Sequence, residues 1–547
     1  QKDSRDLIKV CIDKTKVTKT EKFPKASVVQ AVISLSINTN SSTEDVLDLR
    51  YSYLMKFAYE IEKIKELYFK KKKESNTMDY DDLLSKWKDL LKGSERVRKR
   101  FCEQFHYVMV DEYQDTNVLQ ADIINMLCGH HRNILAVGDD AQSIYSFRGA
   151  CVDNILRFPE IFPGAKMFKL ETNYRSTPEI LNLANDSLLN NSNQFHKELK
   201  AVNPSLEKPA LVEVNDVRAQ AGFIAQRVLE LRAEGGKLRD MAVLFRAHYL
   251  SAELEMELVK RGIPYIVRGG VRFFEQAHIK DVVAYIRIVV NPMDEMAWIR
   301  TLVLCPGIGS GYAEKVYTAF KSSGMKLEEF MEINISKVIP KKALKGYAGF
   351  RRIIRTILAD AQDSNPADMI DSVLDSGYED HLLASFENAK DRVDDIHELV
   401  NFSNEYQNAS DFVSEISLKE NFKGETFAAE EEEDQLVLST IHQSKGLEWG
   451  LVFVIGLCEG HFPHPKAMAE APEMEEERRL FYVAATRAKM SLYLIHPQTR
   501  YDHQKGIVIA RRSRFLNELD SKNFELWKVS SGLEARGHGE DERFIEL

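Results

Sequence analysis

Apolar positions between residues 46 and 73 recur at helical spacing among Leu, Tyr, Lys and Glu. They predict a helix that ends in four lysines, 70–73, expected on a solvated face. After M-D-Y-D-D-L-L (78–84) the pattern changes. Two short apolar runs, Y-V-M-V before Asp111 and I-L-A-V before Gly138, flank a helical stretch over 119–127. This predicts a parallel strand–helix–strand unit, with the first run read as a buried strand. A second such unit comprises L-V-E-V (211–214), a helix over 219–234 and M-A-V-L-F (241–245). Residues 270–430 read as mostly helical, with loops at P-G-I-G-S-G and V-I-P-K-K. The acidic run 430–434 reads as a linker or exposed loop. Strand patterns return at L-V-L-S-T-I (436–441) and L-V-F-V-I-G (451–456). No repeat or long low-complexity segment interrupts this order. The pattern predicts an α/β fold broken by a large helical insertion and resumed near residue 436.

A chain of 547 residues exceeds one hydrophobic core, so about three or four domains are expected. Hydrophobic content of 44% and charged content of 29% describe a globular chain. The sequence has no apolar stretch of membrane-spanning length and a polar start, so no membrane association and a cytoplasmic location are expected. Six scattered cysteines without a C-x-x-C pair argue against a disulfide framework or a zinc site. A net charge of −10 leaves nucleic-acid binding open, because that depends on a local basic track. The first residue is Gln rather than Met, a hint that a segment precedes it.

The chemistry gathers at strand ends. Asp111 and Glu112 follow V-M-V directly, with Asp115 shortly after. Acids at the C-terminal end of a parallel strand lie where open α/β sheets bind ligands. An Asp there suits Mg²⁺, and a neighbouring Glu suits activation of an attacking water. The next strand ends in V-G-D-D-A-Q-S-I-Y-S-F-R-G-A (137–150). Gln142 suits a phosphate oxygen or the attacking water, Tyr145 and Phe147 suit base stacking, and Arg148 suits a phosphate. L-E-T-N-Y-R-S-T (170–177), T-I-H-Q-S-K-G-L-E-W (440–449) and E-E-E-R-R-L-F-Y-V-A-A-T-R-A-K (475–489) follow. For Tyr145, Arg148 and His442 a packing role is the plain alternative.

Together these five ordered motifs resemble those of the UvrD/Rep/PcrA family of superfamily-one DNA helicases, from about residue 78 onward. The resemblance implies two RecA-like P-loop NTPase-type domains, ATP in the cleft between them and single-stranded DNA across their top. It makes Asp111 the Mg²⁺ ligand and Glu112 the activator of water. Gln142 would sense the γ-phosphate. Phe147 takes the place of a base-stacking aromatic, often Trp. Tyr174 would stack on adenine and Arg175 would reach the γ-phosphate. Glu448 would bond the ribose, His442 would lie near the DNA track, and Arg487 would be an arginine finger. Ala141 and Trp449 depart tolerably from the pattern, which often has Asp and Phe there. Gly307 and Gly309, in a turn before a helical pattern, resemble the hairpin with which the mobile 2B domain grips duplex DNA.

The family's phosphate cradle, G-x-x-x-x-G-K-[ST], is missing from this sequence. Its one Gly-Lys pair, Gly236-Lys237, is followed by Leu238, and Leu231 stands where the first glycine belongs. The expectation is therefore an N-terminally truncated helicase lacking on the order of one hundred residues. Such a chain should be a poor ATPase alone. The implied division is 1–100, remainder of a helical 1B insertion; 101–170, second part of the first RecA-like domain; 171–269 and 436–547, second RecA-like domain; 270–435, helical 2B insertion. Single-stranded DNA, single/double-strand junctions and proteins of DNA repair or replication are the implied partners, and movement is implied to run 3′ to 5′. A non-catalytic DNA-binding or protein-interaction role remains the alternative. About sixty residues after Arg487 are too few for a nuclease domain.

Overall fold

The computed structural model describes residues 2–15, 23–268, 272–360, 365–404, 406–421, 434–468, 470–502, 506–530 and 542–546. Four helices, Lys2–Lys14, Ala26–Asn38, Thr43–Arg50 and Ala58–Glu74, pack Ile8, Val29, Val32, Leu47, Ile61 and Ile64 into one core. The helical pattern over 46–73 thus forms two helices, separated by a 3₁₀ turn, Ser52–Phe57. The lysine run departs from its solvated reading. Lys70 and Lys73 are exposed, but Lys72 is buried, 2.8 Å from Asp79 and 2.5 Å from Asp82, with its ammonium over the Tyr68 ring. Position 72 continues the inward face of Ile61, Ile64 and Tyr68, so the ammonium needs partners inside.

Strands β1 (Val108–Val110) and β2 (Ile134–Ala136) pair in parallel, Val108 opposite Ile134, and are joined by the helix Val118–Cys128. Asn117 starts that helix with a capping box. Its side chain accepts from Gln120 N at 2.8 Å, and Gln120 Oε1 accepts from Asn117 N at 3.0 Å. The sequence reading made β1 a buried strand. It is only half-buried, and Met109 is 76% exposed with Leu135 beside it also exposed, because this sheet has two strands and one face of it carries no covering layer among the described residues.

Two short strands, β3 (Thr172–Asn173) and β4 (Lys200–Ala201), pair next. The large sheet uses β5 (Ala210–Val214), β6 (Met241–Phe245), β7 (Tyr265–Arg268), β8 (Leu436–Thr440), β9 (Trp449–Val454) and β10 (Ala488–Pro497). An antiparallel hairpin, β11 (Thr499–Asp502) and β12 (Gly506–Ile509), precedes its last strands, β13 (Glu525–Ser530) and β14 (Glu542–Glu546). Its order is β14-β13-β5-β10-β9-β6-β8-β7, every neighbouring pair parallel. Every residue of β6 and β8 is buried, which accounts for their unbroken apolar runs. Leu211, Leu244, Val452 and Leu494 face the helix Ala471–Ala485. Val212, Val243, Phe453 and Ile495 face the helix Val217–Ala233.

Between neighbouring strands β7 and β8 the chain builds a helical body, from Ala277–Val290 to Ala409–Asn421, around fully buried Trp298, which stacks on Phe320 at 5.0 Å. Of the acidic run, 430–433 lie outside the described residues. Ala141 and Ile144 pack into the core of the large sheet, so the loop after β2 lies against the loops after β8 and before β10.

Candidate functional site

The acidic side of the site follows β1. Glu112 adopts a left-handed backbone (φ 50°), a conformation that costs a non-glycine residue about 1 kcal/mol or more. It lets Asp111 Oδ1 accept from Glu112 N at 2.9 Å and directs the Glu112 carboxylate toward Gln114, whose Nε2 donates to it at 2.5 Å. Gln114 Oε1 accepts from Asp139 N at 3.0 Å, tying this loop to the one after β2. Gly138 is required there, since a Cβ would lie 2.4 Å from Gln114 Oε1. Gln142 Nε2 donates to Asp139 at 2.9 Å. Asp111 is exposed.

The basic side comes from the second unit. Thr440 caps a 3₁₀ turn, Ile441–Ser444, at the end of β8. Gly446, at φ +85°, then reverses the chain so that Lys445 and Glu448 reach different partners. Lys445 Nζ lies 2.6 Å from Asp115 Oδ2, 3.6 Å from Glu112 Oε2 and 2.8 Å from the Gln142 carbonyl oxygen. Burial pushes the Asp115 carboxyl up, and Lys445 opposes that. Glu448 accepts from Arg175 Nε and lies 2.8 Å from Lys489 Nζ; these cations hold its carboxyl below the usual range, Lys489 foremost. Arg487 is 1% exposed. Its Nε donates to Val483 O at 3.0 Å and its Nη1 to Leu447 O at 3.1 Å. Burial, then the nearby Arg175, lowers the Arg487 guanidinium to about 10, so it stays cationic at neutral pH.

Of the residues named from sequence, Glu112, Gln142, Tyr145, Arg175 and Arg487 line one pocket of about 430 Å³, together with Asp115, Lys445 and Gly446. Tyr174, 75% exposed, stands free for a planar ligand beside Arg175. Glu448 is at the same place but engaged by Arg175 and Lys489. Lys445, unassigned in the sequence reading, was legible only as a lysine between a turn and a glycine in the quoted T-I-H-Q-S-K-G-L-E-W.

An aromatic group adjoins the pocket. Tyr145 Oη donates to His442 O at 3.1 Å, Phe147 lies 6.0 Å from Tyr145, and the Arg148 guanidinium is 5.3 Å from each ring. Burial, then Arg246 and Arg148, pushes His442 down to about 3, so its imidazole is neutral at physiological pH. Phe147 is 43% exposed.

Gly307 and Gly309 lie elsewhere, in the helical body. Gly307 has φ +83°, and a Cβ there would meet Lys342 O at 3.0 Å. Gly309, exposed and uncrowded, precedes the helix Ser310–Ser323 without a side-chain cap. Gly236, the one candidate for a phosphate-loop glycine, ends the helix Val217–Ala233 instead: its N–H donates to Leu231 O at 2.9 Å. Among the described residues no group of three His, Cys, Asp or Glu could by itself hold a metal ion. A lone Asp111 at a strand end fits Mg²⁺ shared with phosphates and waters rather than a protein cage.

Residues 1–163 match the family model described as the UvrD/REP helicase N-terminal domain, and residues 168–499 match the UvrD-like helicase C-terminal domain. This chain belongs to the UvrD-like helicase family. Its UvrD-like relatives include the ATP-dependent DNA helicase PcrA of Bacillus subtilis (strain 168), 34% identical over 449 residues, covering 79% of this chain and 60% of that protein. The protein of the same description from Staphylococcus epidermidis (strain RP62A) is 32% identical, covering 81% of this chain and 62% of its own length. That from Staphylococcus aureus (strain COL) is 32% identical over 78% of this chain and 60% of its own. The chain thus spans 60 to 62% of the length of these UvrD-like relatives. Among the described residues no helix is long and apolar enough to cross a membrane.

Proposed function

We propose that this chain works in an ATP-dependent 3′–5′ DNA helicase, coupling ATP hydrolysis to movement along single-stranded DNA and to duplex unwinding. One observation carries this reading: a single pocket holds carboxylates from the β1–β2 unit opposite cations from the large-sheet unit, beside an aromatic group. Phosphoryl transfer needs mainly positioning and charge neutralisation, which such a pocket supplies. Glu112 orients and deprotonates the attacking water. Arg175 and Arg487 neutralise the γ-phosphate, and Gln142 bonds a phosphate oxygen. Tyr174 stacks on adenine. Glu448 takes the ribose once it leaves Arg175 and Lys489. Asp111 would hold Mg²⁺, which when bound neutralises charge on the phosphates. Tyr145, Phe147, Arg148 and His442 form the single-strand track, and the Gly307–Gly309 turn meets the duplex. The division into 1B, 1A, 2A and 2B segments given above, a cytoplasmic location, and repair or replication partners belong to the same reading.

A second reading, DNA binding without catalysis, draws on one observation. No residue run here forms a G-x-x-x-x-G-K loop, and Gly236 serves as a helix end. Phosphate release with and without single-stranded DNA separates the two. We expect residues 1–547 alone to turn over no faster than their Glu112→Gln variant. Joined in one polypeptide to a phosphate-binding segment, the chain should gain DNA-stimulated turnover that Glu112→Gln and Arg487→Ala abolish. Turnover insensitive to both substitutions overturns the proposal.

A further inference from the structure

We propose that Lys445 is a positioning residue that links the acidic end of the pocket to the aromatic group reading single-stranded DNA. The inference rests on the functional reading above and deepens it.

Lys445 belongs by chain to the large-sheet unit, yet its ammonium is committed to the other one. It bonds Asp115 Oδ2 and the Gln142 carbonyl oxygen and stands 3.6 Å from Glu112. Its side chain is 8% exposed, so these contacts are made largely out of water, where an ion pair holds geometry more firmly than at the surface. The ammonium also lies 5.1 Å from the Tyr145 ring centroid.

The residue directly follows the turn Ile441–Ser444, which is rigid by its own bonds. Ser444 Oγ donates to Ile441 O at 2.8 Å, and Thr440 Oγ1 accepts from Gln443 N at 3.4 Å. The turn meets the aromatic group twice. Its His442 carbonyl accepts from Tyr145 Oη, and its His442 imidazole packs on Phe147. Any shift of Lys445 relative to Asp115 and Glu112 therefore displaces His442 relative to Phe147. The path runs through packed groups and hydrogen bonds without a gap, from the water-activating carboxylate to the base-stacking ring. A γ-phosphate arriving in the pocket would compete with the carboxylates for this ammonium and so act on the DNA track. Lys445 itself need not touch DNA.

The test uses the 547-residue chain and a single-stranded oligonucleotide containing 2-aminopurine, whose fluorescence reports stacking. Lys445→Met and Asp115→Asn are each expected to weaken binding about five- to tenfold and to reduce the fluorescence change. The double variant should be no weaker than the weaker single one, because both substitutions cut the same link. Lys445→Arg, which keeps the cation, should recover most of the signal. The slope of log Kd against log salt should stay unchanged in every variant, since no phosphate contact is removed. A slope reduced by about one for Lys445→Met would make Lys445 a direct phosphate contact and overturn the inference. Additive losses from Lys445→Met and Asp115→Asn, or an undiminished fluorescence change, would overturn it as well. Failure of the unsubstituted chain to bind the oligonucleotide would overturn the functional reading itself, whereas binding with additive losses would overturn only the link.

Discussion

The Phe147 ring meets the His442 imidazole edge-on, with centroids 5.4 Å apart and planes at 86°. The two residues come from different units of the chain and lie nearly three hundred positions apart. A neutral imidazole can hold such an edge-to-face contact without presenting a charge to the ring's face. The exposed side of Phe147 is thereby fixed in orientation before any base arrives.

Phe147→Ala should lower affinity for single-stranded DNA about tenfold, since base–aromatic stacking contributes roughly 1–3 kcal/mol. Nucleotide affinity should hardly change, because Phe147 does not line the phosphate pocket. Anisotropy of a labelled oligonucleotide, run beside fluorescent-nucleotide binding, measures both. Unchanged DNA affinity removes Phe147 from the track.

Gly309→Glu should weaken binding of a duplex with a single-stranded tail far more than binding of plain single strand. The added side chain meets nothing within 4 Å, and an acid at a helix start does not destabilise the helix. Its effect is therefore repulsion of a phosphate at the helix N-terminus. Equal losses on both substrates would assign Gly307 and Gly309 a purely structural turn.

Glu255→Gln should shift stability in a pH-dependent way. Glu255 is buried and accepts from Ser251 Oγ at 2.8 Å and from Phe273 N at 3.3 Å; burial pushes its carboxyl up to about 7. The folded state thus favours the protonated acid. Its stabilising contribution is complete below about pH 4.5 and is lost as pH rises through 7. Relative to the native chain, the Gln variant should gain on the order of 3 kcal/mol between pH 5 and pH 8.5. Thermal unfolding at both pH values measures it. A difference that does not vary with pH would place the Glu255 carboxyl in its ordinary range.

Residues 101–170 should exchange amide hydrogens faster than the large sheet. Their sheet has two strands and an exposed Met109–Leu135 face, whereas β6 and β8 are wholly buried. Gly138→Ala should accelerate this exchange further, by pressing a methyl into Gln114 and Ile155, at a cost of about 1–3 kcal/mol. Exchange in β6 and β8 should not respond. Protection of β1 equal to that of β8 would contradict the assignment.

Much of this was legible in the sequence because parallel strands buried on both faces leave unbroken apolar runs, and L-V-L-S-T and M-A-V-L-F do so. The pocket's membership was legible for Glu112, Gln142, Arg175 and Arg487 because motif order carries it. The fate of Lys72 was not, since a lysine on an inward helical face looks like its solvated neighbours until Asp79 and Asp82 are placed. Lys445 was missed for a related reason: its partners lie more than three hundred positions away, beyond any local pattern. The pairing of Glu448 with Arg175 and Lys489 is likewise tertiary. The half-exposed β1 could not be read from V-M-V, because exposure depends on which layers lie beside it.

The order of strands in the large sheet has a consequence for how the chain is made. β5 and β6 are synthesised early but do not touch; β10 and β9 stand between them. These arrive about two hundred residues after β6, roughly 10 to 40 s later at ordinary ribosomal speeds. During that interval the helical body has emerged and can fold on local contacts, while two apolar strands wait with open edges. A pause in translation between residues 250 and 450 would therefore prolong the aggregation-prone stage, and a holding chaperone would act there rather than on the finished chain.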